Sequence, residues 1–293
     1  MLPLKEKVLA PAKLNLSLRI VGRRHDGYHL LDTLVVPVSL YDELVLGVVP
    51  AGSSQITVRC DSRDVPDGPA NLAYRAAALF LDSVEQDFTV DIGIAKRIPV
   101  GSGLGGGSSD AAAVLTTLNR LLGSPLSDAG LAALALELGA DVTFFMFGRP
   151  ARARGIGEQL EFVELPDRPF FVLCSDGYPM PTKSVYARVD LSLTSAGPNS
   201  NILTFIGGRA RLEDVLVNDL EAAAAEIHPE VLSLKARLME EGAVGALMTG
   251  SGSAVFGVWY ELHSAVQAAM RLRGCGLWAE AVHVLDAAPT VRS

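Results

Sequence analysis

From Lys13 to Ile20 the chain alternates, with Lys13, Asn15, Ser17 and Arg19 on one side and Leu14, Leu16, Leu18 and Ile20 on the other. A period of two predicts a half-buried strand, which sets the ammonium of Lys13 and the amide of Asn15 on one face. Ala10-Pro11-Ala12 stiffens the approach to it. Leu31 to Leu46 and Ile56 to Arg59 read as further strands, Asn71 to Leu81 as a helix, and Phe88 to Ile94 as a strand leading through Lys96 and Arg97. After a glycine-rich stretch, Val114, Leu115, Leu118, Leu121 and Leu122 recur at helical intervals, and Gly123 and Pro125 close the segment. Ser108, Ser109 or Asp110 is the expected cap of that helix. Ser127 and Asp128 open another, running to about Leu138 and ended by Gly139. Asp141 then leads the nearly uncharged run Val142–Phe147, where it is either an N-cap or an acid held in a dry site.

Beyond residue 150 the pattern changes. Ala151 to Leu160, with Gly155-Ile156-Gly157-Glu158, reads as a turn between domains or between two strands. Phe170 to Cys174 is an apolar strand, Thr182 to Val189 a short helix projecting Tyr186, and Ser192 to Asn201 a mobile Ser/Asn/Gly-rich segment. Helices are expected over Leu212–Ile227 and Pro229–Glu241. A compact unit follows: strand Val244–Met248, small-residue loop Thr249–Ser253, strand Ala254–Trp259, helix Ser264–Arg273 and strand Trp278–Leu285. Hairpin, helix and strand in that order suit half of an α+β sandwich.

Two stretches carry chemistry rather than packing. Between Pro99 and Asp110, five glycines followed by the two serines Ser108 and Ser109 have almost no side chain to pack. They offer backbone N–H groups on a chain free to take positive φ, and they feed a helix N-terminus, which is a site for phosphate. Gly101-x-Gly103-x-x-Gly106 matches the dinucleotide fingerprint literally. Pro99, however, sits where the feeding strand should pair, and no strand ending in an acid follows at the right distance. A Walker loop is excluded by the lack of Gly-Lys-Ser/Thr. The second stretch, Gly22 to His29, gathers two arginines, a tyrosine and two histidines around an Asp26-Gly27 turn. It suits a heteroaromatic ring carrying phosphate, or else a polar hairpin end with Tyr28 and His29 folded onto the core.

With 293 residues, 49% of them apolar, the chain suits two domains of ordinary size. A net charge of −8 disfavours bulk attraction to nucleic acid or an anionic membrane, so an anionic ligand must be held locally. Cys60, Cys174 and Cys275 lie far apart and read as buried thiols of a reducing compartment. No uncharged run reaches spanning length, and the start lacks an apolar core segment, so a cytoplasmic location is expected.

Taken together, the Pro11–Asn15 strand, the Gly103–Ser109 loop and the Gly250–Ser253 loop resemble the GHMP small-molecule kinases in order and spacing. Gly22-Arg23-Arg24-x-Asp26-Gly27-Tyr28-His29, Gly105 to Ala112, Gly139-Ala140-Asp141-Val142, Gly155 to Glu158 and Asn218-Asp219-Leu220-Glu221 narrow the resemblance to one branch. It covers the chain from Ala10 to about Gly257. The resemblance implies an α+β, two-domain fold. Residues 1–153 would form a ribosomal protein S5 domain 2-like domain with a left-handed βαβ crossover, an exception to the usual hand. Residues 154–293 would form a ferredoxin-like α/β sandwich, with ATP and substrate in the cleft between the two.

It further implies ATP-dependent phosphorylation of the 2-hydroxyl on the methylerythritol part of CDP-methylerythritol, in the non-mevalonate route to isoprenoids. By resemblance Asp141 is the base and Lys13 stabilises charge. Pro99, Gly101, Gly103, Leu104, Gly105, Gly106, Gly107, Ser108 and Ser109 bind ATP, the backbone from Gly103 to Ser109 holding its phosphates, with Asn71 and Lys96 at adenine or ribose. Mg²⁺ arrives with ATP, within reach of Ser108 or Ser109. Asn15, Tyr28, His29 and Thr182 take the other substrate, with Tyr186, where many members have Phe, as a second aromatic wall for cytosine. Asp110 stands where some members have Asn and is expected to act only as a cap. A monomer or weak homodimer is expected, without nucleic acid or membrane. The alternatives are a GHMP kinase for mevalonate, homoserine or a galactose-like sugar, a non-catalytic nucleotide sensor, and an NAD-dependent oxidoreductase.

Overall fold

The computed structural model describes residues 4–84, 86–190 and 200–287. Two long strands, β1 (Leu4–Arg23) and β2 (His29–Pro50), pair antiparallel from Leu4↔Val48 to Arg23↔His29. Their register shifts between Asn15 and Ser17, a bulge that turns later residues over. The single face expected for Lys13, Asn15, Ser17 and Arg19 is therefore split: Lys13 and Asn15 face one cavity, and Leu18 follows them there. The strand is also buried on both sides, with Leu14 and Leu16 fully covered.

Next come β3 (Gln55–Cys60), α1 (Leu72–Asp82) and β4 (Phe88–Ala95); β4 lies antiparallel to β2 and parallel to β3. Asn71 caps α1, its side chain accepting from Ala73 N–H at 2.8 Å. α2 (Gly106–Leu121) starts three to five residues earlier than a cap at Ser108, Ser109 or Asp110 would place it, so Gly106 to Asp110 are helix and not loop. Its N-cap is Gly105, left-handed at φ 77°, and none of Ser108, Ser109 or Asp110 caps it. α3 (Asp128–Leu138) and α4 (Ala140–Phe147) follow, with Gly139 as the N-cap of α4 and Asp141 in its first turn. β5 (Ala151–Gly155) and β6 (Gln159–Phe162) form a hairpin joined to β2, and so straddle the division expected at 153/154.

The second half contributes β7 (Phe170–Ser175), α5 (Thr182–Tyr186), α6 (Ser200–Ile206), β8 (Val217–Asn218), α7 (Glu221–Ile227) and α8 (Glu230–Glu240). β9 (Ala246–Met248), β10 (Val255–Trp259), α9 (Leu262–Gly274) and β11 (Trp278–His283) complete it. The seven-stranded first sheet runs β3-β4-β2-β1-β8 with β5 and β6 attached, and the four-stranded second sheet runs β11-β7-β10-β9. The helix expected over Leu212–Ile227 exists only from Glu221. Before it stand a 3₁₀ turn at Leu212–Asp214 and β8, parallel to Ser17–Leu18. Asn218 and Asp219 bond backbone N–H groups with their side chains, which competes with helix formation there. The segment expected to be mobile, Ser192–Asn201, lies outside the described residues as far as position 199.

Three apolar clusters hold these layers. One packs α1 to α4 on the first sheet, one packs α8 and α9 on the second, and one lies between the sheets, where Leu14, Leu16 and Leu34 meet Phe171 and Phe256. The two phenylalanines meet edge to face at 5.5 Å; burial of each large side chain contributes about 1.5–3 kcal/mol. The cysteines are free, and Cys275 is exposed where a buried thiol was expected. Among the described residues no helix is long and apolar enough to cross a membrane.

Candidate active site

The exit of β4 fixes where the glycine turn begins. Asp42, fully buried in β2, accepts from Arg97 N–H at 2.6 Å and Ile98 N–H at 2.9 Å. From there the chain turns through Pro99 to Gly105 and enters α2. Leu104 is buried at 0% exposure, and its carbonyl accepts from Lys13 N–H at 3.0 Å, so it anchors the turn to β1 without facing the cavity. Pro99, Gly101, Gly103, Gly105, Gly106, Gly107 and Ser108 all line one cavity of ≈ 450 Å³. Since Gly105 brings no capping side chain, the first-turn N–H groups and the positive end of the helix dipole are left for a ligand. Ser109 differs from its neighbour. It is buried, its hydroxyl has no partner, and it lies on the opposite side of α2, against β1 and α4.

A third segment closes on this turn. A Cβ on Gly103 (φ +82°) would stand 2.3 Å from the carbonyl oxygen of Thr249, so the glycine turn and the Gly-Ser loop touch backbone to backbone. Ala254 N–H donates to Ser102 O at 3.0 Å, Asn15 N–H to Thr249 Oγ1 at 3.0 Å, and Ser251 Oγ meets Thr182 Oγ1 at 2.9 Å. The first strand, the glycine turn and the Gly-Ser loop thus form one knot.

Lys13 and Asp141 both line the same cavity. Lys13 is 4% exposed, and its ammonium donates to Asn15 Oδ1 at 2.5 Å; Asn15 Nδ2 in turn donates to Thr33 Oγ1 at 2.8 Å. Burial pulls the Lys13 pKa below its usual value, and the negative charge of Asp141 opposes that shift. Asp141 is exposed to the cavity on the first turn of α4, where the helix dipole favours a carboxylate. Its charge also reaches the hydroxyl of the half-buried Tyr186, whose pKa is raised mainly by desolvation and secondarily by Asp141.

The remaining residues divide. Asn15, Asn71, Lys96, Thr182 and Tyr186 line the cavity. Asn71 is engaged locally, capping α1 and donating to Pro66 O at 3.0 Å. The Lys96 ammonium is held by Asp42 and by Asp110, the latter at 2.9 Å. Asp110 is thus no cap. It is a buried carboxylate whose pKa is raised to about 7, by desolvation first, with Lys96 opposing and Asp42 adding to the shift. His29 packs on Tyr186 with ring centroids 5.2 Å apart, just outside the cavity lining. Tyr28 is not brought in: it stands 60% exposed on the β1–β2 turn, with the Arg24 guanidinium 5.9 Å from its ring centre. Sequence reasoning passed over Asp42, Thr33 and Ser251. The acidic pair Asp42-Glu43, set inside the otherwise apolar run Leu40–Leu46, is the signal that points to Asp42. Among the described residues no group of three or more His, Cys, Asp or Glu side chains could hold a metal by itself.

Residues 71–149 match the GHMP kinases N terminal domain, and residues 206–274 match the GHMP kinases C terminal domain. The 4-diphosphocytidyl-2-C-methyl-D-erythritol kinase of Syntrophotalea carbinolica is 44% identical over 273 residues, covering 93% of this chain and 96% of that protein. Its namesake in Geobacter sulfurreducens is 40% identical over 276 residues, 94% and 98% of the two chains. A crystal structure of 4-(cytidine 5'-diphospho)-2C-methyl-D-erythritol kinase superposes with a TM-score of 0.81 at 41% identity, over 95% of this chain and 99% of that one. Mevalonate kinase of L. major shares the fold at a TM-score of 0.72 and 18% identity, over 98% of each chain. The two-domain α+β fold implied by the motifs is the one the chain adopts. The chain belongs to the GHMP kinases, ATP-dependent enzymes, and within them to the 4-diphosphocytidyl-2-C-methyl-D-erythritol kinase family.

Proposed function

We propose that the protein transfers the γ-phosphoryl group of ATP to the 2-hydroxyl of 4-diphosphocytidyl-2-C-methyl-D-erythritol, giving the 2-phosphate and ADP, in the non-mevalonate route to isoprenoid precursors. The observation that carries this reading is that Lys13 and Asp141 open onto one cavity with the glycine turn. Phosphoryl transfer needs positioning and charge neutralisation more than covalent help from the protein. The N–H groups of Gly106, Gly107 and Ser108 hold the phosphates at the helix end. Ser108, whose residue faces the cavity, and Asp141 are the residues that would hold a Mg²⁺ arriving with ATP, which would supply neutralisation of phosphate charge; Ser109 is turned away.

Asp141 accepts the proton of the attacking hydroxyl, whose oxygen bonds the γ-phosphorus as the bond to the β-phosphate oxygen breaks and the electron pair leaves with ADP. Lys13 holds the carboxylate and the charge that develops on the phosphoryl oxygens, more strongly in a dry site than in water. Tyr186, braced by His29, forms a wall for the cytosine, while Tyr28 stands exposed on the turn outside the cavity lining. Steady-state kinetics on Asp141→Asn and Lys13→Met test the assignment. Each is expected to lower kcat by about 10²- to 10⁴-fold while remaining folded. Near-parental turnover in both folded variants contradicts it.

A further inference from the structure

Asn218-Asp219-Leu220-Glu221 is the motif whose purpose the reaction above leaves unexplained, and it sits outside the cavity lining. Asn218 is 7% exposed and saturated. Its Oδ1 accepts from Leu220 N–H at 3.0 Å, and its Nδ2 donates to Met248 O and Gly250 O, both at 2.8 Å. Only a carboxamide of this length supplies two donors and an acceptor from one planar group. The neighbouring acids bind the two ends of the same arrangement. Asp219 accepts from Ile20 N–H at 2.8 Å on β1, the strand that carries Lys13 and Asn15. Glu221 accepts from Met248 N–H at 3.1 Å, so Met248 is held at its N–H by one residue of the motif and at its carbonyl by another.

What is held there lies against the reacting groups. A Cβ on Gly250 would stand 2.9 Å from Gly103 O and 3.0 Å from Lys13 Nζ. The backbone that Asn218 grips is therefore the wall on which the Lys13 ammonium rests, and Thr249 beside it takes the N–H of Asn15. We propose that Asn218 is a positioning residue for phosphoryl transfer: by clamping Met248 and Gly250 it fixes the wall of the Gly-Ser loop and, through that wall, the seat of the Lys13 ammonium. This deepens the proposed function and rests on the role given there to Lys13. Asn218 touches neither nucleotide nor alcohol; its effect runs through the lysine.

A double-mutant cycle on the full chain tests it, with kcat and KM measured for parent, Asn218→Ala, Lys13→Met and the combination. Asn218→Ala is expected to lower kcat about 10- to 100-fold, the scale of a small misplacement of a reacting group, with either KM changed less than about threefold. In the Lys13→Met background the same substitution is expected to change kcat less than about twofold, because the group it positions is gone. Equal losses in both backgrounds, a loss carried by KM alone, or parental kcat in Asn218→Ala overturns the clamp. Parental turnover in Lys13→Met alone overturns the role of the lysine, and the inference with it, so the two failures are told apart. Should Asn218→Ala not fold, the isosteric Asn218→Asp replaces it. A carboxylate there faces two carbonyl oxygens, whereas its protonated form donates to one, so kcat relative to parent should recover as pH falls. A ratio independent of pH overturns the clamp.

Discussion

Asp110 and Asp42 share the single ammonium of Lys96 in a site from which water is nearly excluded, which leaves one negative charge in excess beneath the glycine turn. Asp42 also has two backbone N–H donors, whereas one oxygen of Asp110 has no partner, so Asp110 is the acid on which a proton costs least. Its pKa of about 7 lies above the ordinary 3.8, so between those limits the folded protein keeps a proton that the unfolded chain releases. The resulting stabilisation is complete below the unfolded value and is lost as pH rises through about 7. Asp110→Asn, of the same shape without the charge, should therefore raise the melting temperature more at pH ~8 than at pH ~5, as read by thermal melts at both. An equal change at the two pH values contradicts this account of the triad.

At the scale of elements, the site is made where segments far apart in sequence touch, and the glycine turn against the Gly-Ser loop is the tightest case. Gly103→Ala puts a methyl 2.3 Å from the Thr249 carbonyl at φ +82°. The turn and the loop must part, with an expected loss of about 2–4 kcal/mol of stability and most of the activity. Gly123→Ala, also at positive φ (+79°) but with nothing within 4 Å, carries the backbone strain alone, about 1–2 kcal/mol, and should leave turnover intact. Denaturant titrations and kcat on both variants read the difference; equal losses contradict the close approach.

The same contrast explains what the sequence reveals. The glycine turn, the strand of Lys13 and Asn15, and Asp141 ahead of its aromatic run are legible because their signals are local: small residues, a period of two, an acid at a helix start. The bulge after Asn15 is not, since it is set by pairing with β2, and the expected face of β1 failed there. Nor is β8, a strand of two residues at Val217–Asn218 inside a helical-looking run, because it exists only by pairing with Ser17 and Leu18. Asp110 reads as a cap from the sequence because its partners belong to other elements, Asp42 to β2 and Lys96 to the segment just past β4.

For the whole molecule, two sheets packed against each other hold the glycine turn, the first strand and the Gly-Ser loop around a cavity that Tyr186 and Thr182 also line. The same fold at 18% identity serves mevalonate kinase, so the architecture alone does not select the alcohol. Selection therefore falls to side chains, and Tyr186, in the same cavity lining as Lys13 and Asp141, offers an aromatic face of the kind a nucleobase stacks on. The most direct measurement follows ADP release by the purified protein with ATP and Mg²⁺, offering CDP-methylerythritol, mevalonate and homoserine separately. The account predicts turnover on CDP-methylerythritol, with kcat/KM at least about 10²-fold above either competitor. Faster ADP release with mevalonate or homoserine, or none with CDP-methylerythritol, would contradict it.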